Sequence, residues 1–148
     1  METKSYTTIN RSGWSSGPWD DEPDKLQWTD QATQLPCLAV RHLQNGHWCG
    51  YVGVADEHPL YNKGYDEVAH IEVHGGLTFS DFCQPDENEA ESICHIPAPG
   101  EPERVWWLGF DCAHSRDGSP KWPEGLYRTL QFVQTECESL AAQLSKES

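Results

Sequence analysis

Two strand-like runs, Cys37-Leu-Ala-Val-Arg-His-Leu43 and His47-Trp-Cys-Gly-Tyr-Val-Gly-Val54, flank Asn45-Gly46, and this restricts the fold more than any other feature. Asn-Gly is the preferred pair for a two-residue type I′ turn, because both turn residues need positive φ. The β-branched and aromatic content of the runs then predicts a β-hairpin over about 37–54. With Asn45 and Gly46 as the loop, His42 faces Cys49, Val40 faces Tyr51 and Cys37 faces Val54. That register excludes a disulfide between the two hairpin cysteines.

Three further segments complete the fold class. Val68 to His74 alternates, with Ile71 and Val73 on one face and His70, Glu72 and His74 on the other, which predicts a strand near 68–74. Val105 to Phe110 is almost continuously apolar, so a strand near 104–111 is expected at a central position, with Trp106 and Trp107 on opposite faces. From Pro123 onward Leu126, Leu130, Val133, Cys137, Leu140 and Leu144 recur at steps of four and three, which predicts an amphipathic helix over about 123–144. The class is α+β: a small mixed or antiparallel β-sheet containing the hairpin, with the C-terminal helix packed on it.

The 148 residues suit a single domain, 1–148. Residues 1–34 read as a mostly irregular N-terminal arm, and 84–103 as an acidic, Pro-containing loop. Trp14, Trp19 and Trp28 would be costly to leave in water, so the arm is expected to lie across the domain. Residues 56–65 form a loop able to close over a site.

Charge and cysteine usage narrow the partners. With 24 acidic against 10 basic side chains, net −14, and no basic patch, a duplex nucleic acid is excluded as a partner. A small anion is not excluded, since one Arg and a few backbone N–H groups hold a phosphate. No apolar run approaches 18 residues and the N-terminus lacks a signal pattern, so a cytoplasmic protein with no membrane partner is expected. In that compartment the six cysteines are expected as thiols, and with no Cys-x-x-Cys pair a zinc knuckle is not expected. Nothing in the sequence names a cofactor or an oligomeric state, and a homo-oligomer remains open.

The chemistry concentrates in two places, His74-Gly-Gly-Leu-Thr78 and Asp111-Cys-Ala-His114. Strands gain nothing in packing from ending this way, whereas glycines admit a ligand and imidazoles bind or react. On a strand, His70 and His74 would stand roughly 13 Å apart, too far to share one ion. If the strands ending at His74 and Asp111 run side by side in parallel, His74, Asp111 and His114 converge. Such a trio can hold a divalent ion, orient a base, or grip ribose and phosphate. Gly75-Gly76 with Thr78 reads either as an anion-binding backbone nest or as a plain tight turn. Asp111 can equally cap the turn after its strand. Tyr65 or Trp107 is the candidate stacking surface. Cys112 beside His114 raises a nucleophile reading that lacks an oxyanion hole.

Together, the Trp48–Val54 strand, the His74–Thr78 turn and the Trp106–His114 block resemble small uncharacterised proteins that recur in tailed phages and prophages. The resemblance implies a phage accessory protein acting in a bacterial host cytoplasm, a class that includes anti-defence proteins acting on nucleotide immune signals. Under that implication the first expectation is sequestration of a small nucleotide-like ligand by His74, Gly75, Gly76, Thr78, Tyr65, Trp107, Asp111 and His114. The second is a metal-dependent or acid/base phosphodiesterase with His74, Asp111 and His114 as the catalytic groups. The third is an acidic decoy of a host defence protein, built on Asp20, Asp21, Glu22, Asp24 and the 86–91 run.

Overall fold

A computed structural model describes residues 1–84 and 88–147. Six strands, β1 (Lys4–Tyr6), β2 (Lys25–Thr29), β3 (Pro36–Arg41), β4 (Trp48–Val54), β5 (Phe79–Phe82) and β6 (Trp106–Asp111), form one sheet in the order β1-β2-β3-β4-β6-β5. Every neighbouring pair in it is antiparallel. Two short strands, β7 (Asp117–Gly118) and β8 (Leu126–Tyr127), pair in parallel ahead of the helix α1 (Leu130–Ser145). The α+β class read from the sequence is the observed one.

The sheet is covered on both faces, as the apolar β6 requires. On one face Trp48, Val52, Leu108 and Phe110 meet Val133, Cys137, Leu140 and Leu144 of α1. Leu140 is fully enclosed, so truncating it to Ala costs about 2–5 kcal/mol. On the other face Leu38, Val40, Tyr51, Val105 and Trp107 form a second cluster, with Ile93 packed against it. Trp106 and Trp107 therefore do face opposite ways.

The hairpin forms over the expected residues in a different register. Val40 faces Cys49 rather than Tyr51, and Cys37 faces Val52 rather than Val54. A slip of two residues keeps every side chain on its face, so the hydrophobic pattern does not resist it. Loop chemistry decides instead. His42 Nδ1 accepts the N–H groups of Gln44 and Asn45 at 3.3 and 3.1 Å, His42 N donates to His47 O, and Gly46 takes φ +84°. The two hairpin cysteines remain apart, as expected.

Residues 68–74 are not a strand. Tyr65–Val68 is a 3-10 turn, and the chain then passes under α1 by way of turns. Its backbone groups bond to helix side chains instead of to a strand partner. Gln143 accepts from Glu72 N and donates to Glu72 O, both at 2.8 Å, while Glu136 Oε1 accepts from His74 N at 2.8 Å. The anchoring apolar residues are Val68 and Ile71, three apart, which is turn spacing and not alternation.

The N-terminal arm is more ordered than expected, since β1 and β2 lie within it. Lys25 and Gln27 point inward from β2, and these buried polar residues hid the strand. Lys25 Nζ donates to the carbonyls of Glu89 and Cys94, and Gln27 exchanges hydrogen bonds with Ile96, so together they fasten the 84–103 loop over the second face. Trp19 is buried edge-on against Tyr127, as a Trp-rich arm lying across the domain requires. Glu22 accepts from Arg41, Trp48 Nε1, the Tyr127 hydroxyl and the N–H of Leu130, tying the arm to the start of α1.

Two other expectations change. The helix begins at Leu130, not near Pro123, because Thr129 Oγ1 caps it by accepting from Phe132 N while Leu126–Tyr127 pairs with Asp117–Gly118. Cys83 and Cys94 form a disulfide, whereas all six cysteines were expected as thiols. Their two Cα atoms are 4.9 Å apart, well within bonding reach. Cys37, Cys49, Cys112 and Cys137 are free thiols. No described helix is long and apolar enough to cross a membrane.

Candidate functional site

His74, Asp111 and His114 converge, although not by the route the sequence implied. Asp111 ends β6, and His114 lies three residues on, in the turn that leads to β7. His74 arrives on the 69–76 turn, held by Glu136 of α1, and not on a parallel strand. The His74 and His114 rings meet edge-to-face with centroids 5.6 Å apart.

The organising group is Asp117, whose side chain is 1% exposed. Its Oδ2 accepts from His74 Nε2 at 2.8 Å and from His114 N at 3.0 Å, and its Oδ1 accepts from Arg128 Nε at 2.8 Å. Burial by itself would raise this carboxyl, but the hydrogen bonds from Arg128, His74 and His114 N outweigh it and hold the group below its ordinary value. Phe132 of α1 packs edge-on against His74 and under the Arg128 guanidinium.

His114 has a carboxylate of its own. Its Nε2 lies 3.3 Å from Asp111 Oδ1, within ion-pair distance but out of line for a hydrogen bond. Asp111 also accepts from Thr78 Oγ1 at 3.1 Å and from Ala113 N at 3.2 Å, so its turn-capping role is real. Gly75, at φ +71°, sits directly over His114, where a Cβ would fall 1.9 Å from Nε2. Gly76 N donates to Val73 O, which makes Gly75-Gly76 a tight turn and removes one amide from the proposed anion nest.

Other candidates lie elsewhere. Trp107 is fully buried on the face of the sheet away from α1, stacked edge-on with His95, so it cannot meet a ligand at this site. The near-continuous apolar run that marked β6 as central already required that burial. Tyr65 is exposed, but its N–H bonds Ser80 Oγ, opposite Leu108 and back along β6 from Asp111. The Cys112 thiol is buried, and burial pushes its pKa up, which leaves it protonated and unfit as a nucleophile. Of the acidic decoy cluster, Asp24 is buried against Arg11 and Arg41 and Glu22 is bound to Arg41, so only Asp20 and Asp21 are displayed there. Residues 86 and 87 of the second acidic run lie outside the described residues.

Asp117, Arg128, Glu136 and Phe132 escaped the sequence reading. Asp117-Gly118 looks like an ordinary turn and Arg128 like a solvated surface charge. Among the described residues no group of three His, Cys, Asp or Glu side chains is placed to hold a metal ion. No protein-family model matches the chain, and no curated protein or solved structure shows significant similarity to it.

Proposed function

We propose that the chain binds a small phosphate-bearing, nucleotide-like ligand, with His74, His114 and Arg128 as the groups that meet it. One observation carries the reading: the buried carboxylate of Asp117 holds the His74 ring through Nε2, the backbone N–H of His114 and the Arg128 guanidinium through Nε, and so gathers these three residues in one place. Asp117 and Arg128 neutralise each other, and Arg128 uses only Nε in doing so, which leaves its terminal amino groups for a phosphate. The two imidazoles supply ring N–H groups, which donate to phosphate oxygens. In a chain of net charge −14 such a local cluster is what a small anion requires. The resemblance to phage accessory proteins extends the proposal to a host nucleotide signal as the ligand.

A second reading is acid/base cleavage of a phosphodiester, favoured by the carboxylate beside each imidazole, Asp117 for His74 and Asp111 for His114. One imidazole would take a proton from the attacking oxygen while the other gives one to the leaving oxygen. Incubation of the purified protein with cyclic and linear nucleotides, then heat denaturation and chromatography, separates the two. Ligand retained and released intact supports binding, and turnover to smaller products supports cleavage. Failure to retain or convert any phosphate compound refutes both.

A further inference from the structure

We propose that the cleft sharing Asp117 with the histidine pair is a subsite for a planar heterocyclic base, with Trp122 as the stacking platform. This deepens the phosphate reading above and rests on it. The cleft has a volume of about 170 Å³ and is lined by Asn45, His47, Cys112, Asp117, Ser119 and Trp122 among others. That is slightly more than the roughly 150 Å³ that admits a single benzene ring. It therefore has room for one ring system and not for a whole nucleotide, so a phosphate on the same ligand must lie outside it.

The position of Trp122 is the main support. Trp122 as a residue is 64% exposed, yet its backbone is fastened. Ser119 N donates to Trp122 O at 3.0 Å, Trp122 N donates back to Ser119 O and Oγ at 3.1 Å, and Lys121 N reaches Asn45 O. A large apolar ring held out on a closed turn offers contact area at little cost in conformational entropy. The other walls suit a base edge. Asn45 brings an amide, which pairs bidentately with a purine edge. His47 is buried and stacked on His42 with centroids 4.7 Å apart. Burial lowers its pKa, so it presents a neutral ring with one donor and one acceptor nitrogen.

Cleft and histidine pair adjoin through two connections. Asp117 belongs to both, and Ala113, also in the cleft wall, directly precedes His114. A ligand with its base against Trp122 has its phosphate beyond Asp117, whose charge Arg128 offsets.

The test follows the indole N–H signal of Trp122 in the ¹⁵N spectrum of the full chain, identified by its loss in Trp122→Phe. Adenosine, inorganic phosphate and adenosine monophosphate are titrated separately. Adenosine should move the Trp122 signal in preference to the other tryptophans, and phosphate should move the His74 and His114 ring signals. The monophosphate should move both, and Trp122→Ala should weaken its binding about tenfold or more while leaving phosphate binding unchanged. If adenosine leaves Trp122 unmoved, or shifts all tryptophans alike, and Trp122→Ala binds the monophosphate like wild type, the base subsite is refuted whatever the histidines do. If adenosine moves Trp122 while phosphate leaves both histidines unmoved, the subsite stands and the phosphate reading fails.

Discussion

Asp117→Ala removes the acceptor of three hydrogen bonds at once, from Arg128 Nε, His74 Nε2 and His114 N. Each bond to an ionised acceptor contributes about 1.5–3 kcal/mol net. Their simple total overstates the loss, because Arg128 and His74 are 22% and 18% exposed and water replaces part of what they lose. Removing one member of a buried charged pair costs about 3–5 kcal/mol, and that is the expected destabilisation. For a chain of this size it lowers the melting temperature by about 6–20 °C. Asp117→Asn keeps the shape and one acceptor oxygen and should lose roughly half as much. Urea denaturation with matched m-values measures both. The direction with pH follows from the depressed carboxyl. Its stabilising contribution is complete above its ordinary value of 3.8 and is lost as pH falls through the lower folded value, so Asp117→Asn should show a shallower acid limb than wild type. A loss below about 1 kcal/mol in Asp117→Ala, less than one such hydrogen bond, would refute the idea that this carboxylate organises the site.

Three other outcomes are expected. Gly75→Ala places a methyl group on His114 and forces φ +71° on a side-chain-bearing residue, so it should cost about 1–2 kcal/mol and shift the His114 ring resonances; unchanged His114 signals would contradict the packing. Lys25, pushed by burial from 10.5 down to about 8, binds fewer protons folded than unfolded between those values, so wild type should gain stability relative to Lys25→Met as pH rises from 8 to 10.5. The buried thiols titrate in the unfolded state of both proteins, so the difference isolates the lysine, and a flat difference would contradict its burial. Replacing Cys83 and Cys94 together by Ser opens a loop of sequence separation 11, at a cost of about 3 kcal/mol, and should speed amide exchange at Ile96, which is bonded to Gln27; unchanged exchange would separate the disulfide from the loop it closes.

The elements that could be read from the sequence were those whose pattern has one physical solution. The apolar β6 and the three-and-four spacing of α1 had to be a covered strand and a packed helix. Hairpin register was not legible, because an even slip preserves the faces and the His42 ring decides the loop. Residues 68–74 misled because their backbone bonds to Gln143 and Glu136, partners that alternation cannot reveal. β2 was hidden by Lys25 and Gln27, polar side chains facing inward to hold a loop. At the site, His74, Asp111 and His114 stood out as reactive groups beside strand-like runs. Asp117 and Arg128 did not, since each becomes informative only when the fold brings it against His74.

The most direct test of the central claim is the affinity for adenosine monophosphate, measured by calorimetry on the wild type and on the His74→Gln, His114→Gln double variant. If His74 and His114 meet the phosphate, the double variant loses most of the affinity. Binding that the double variant retains in full would contradict the account.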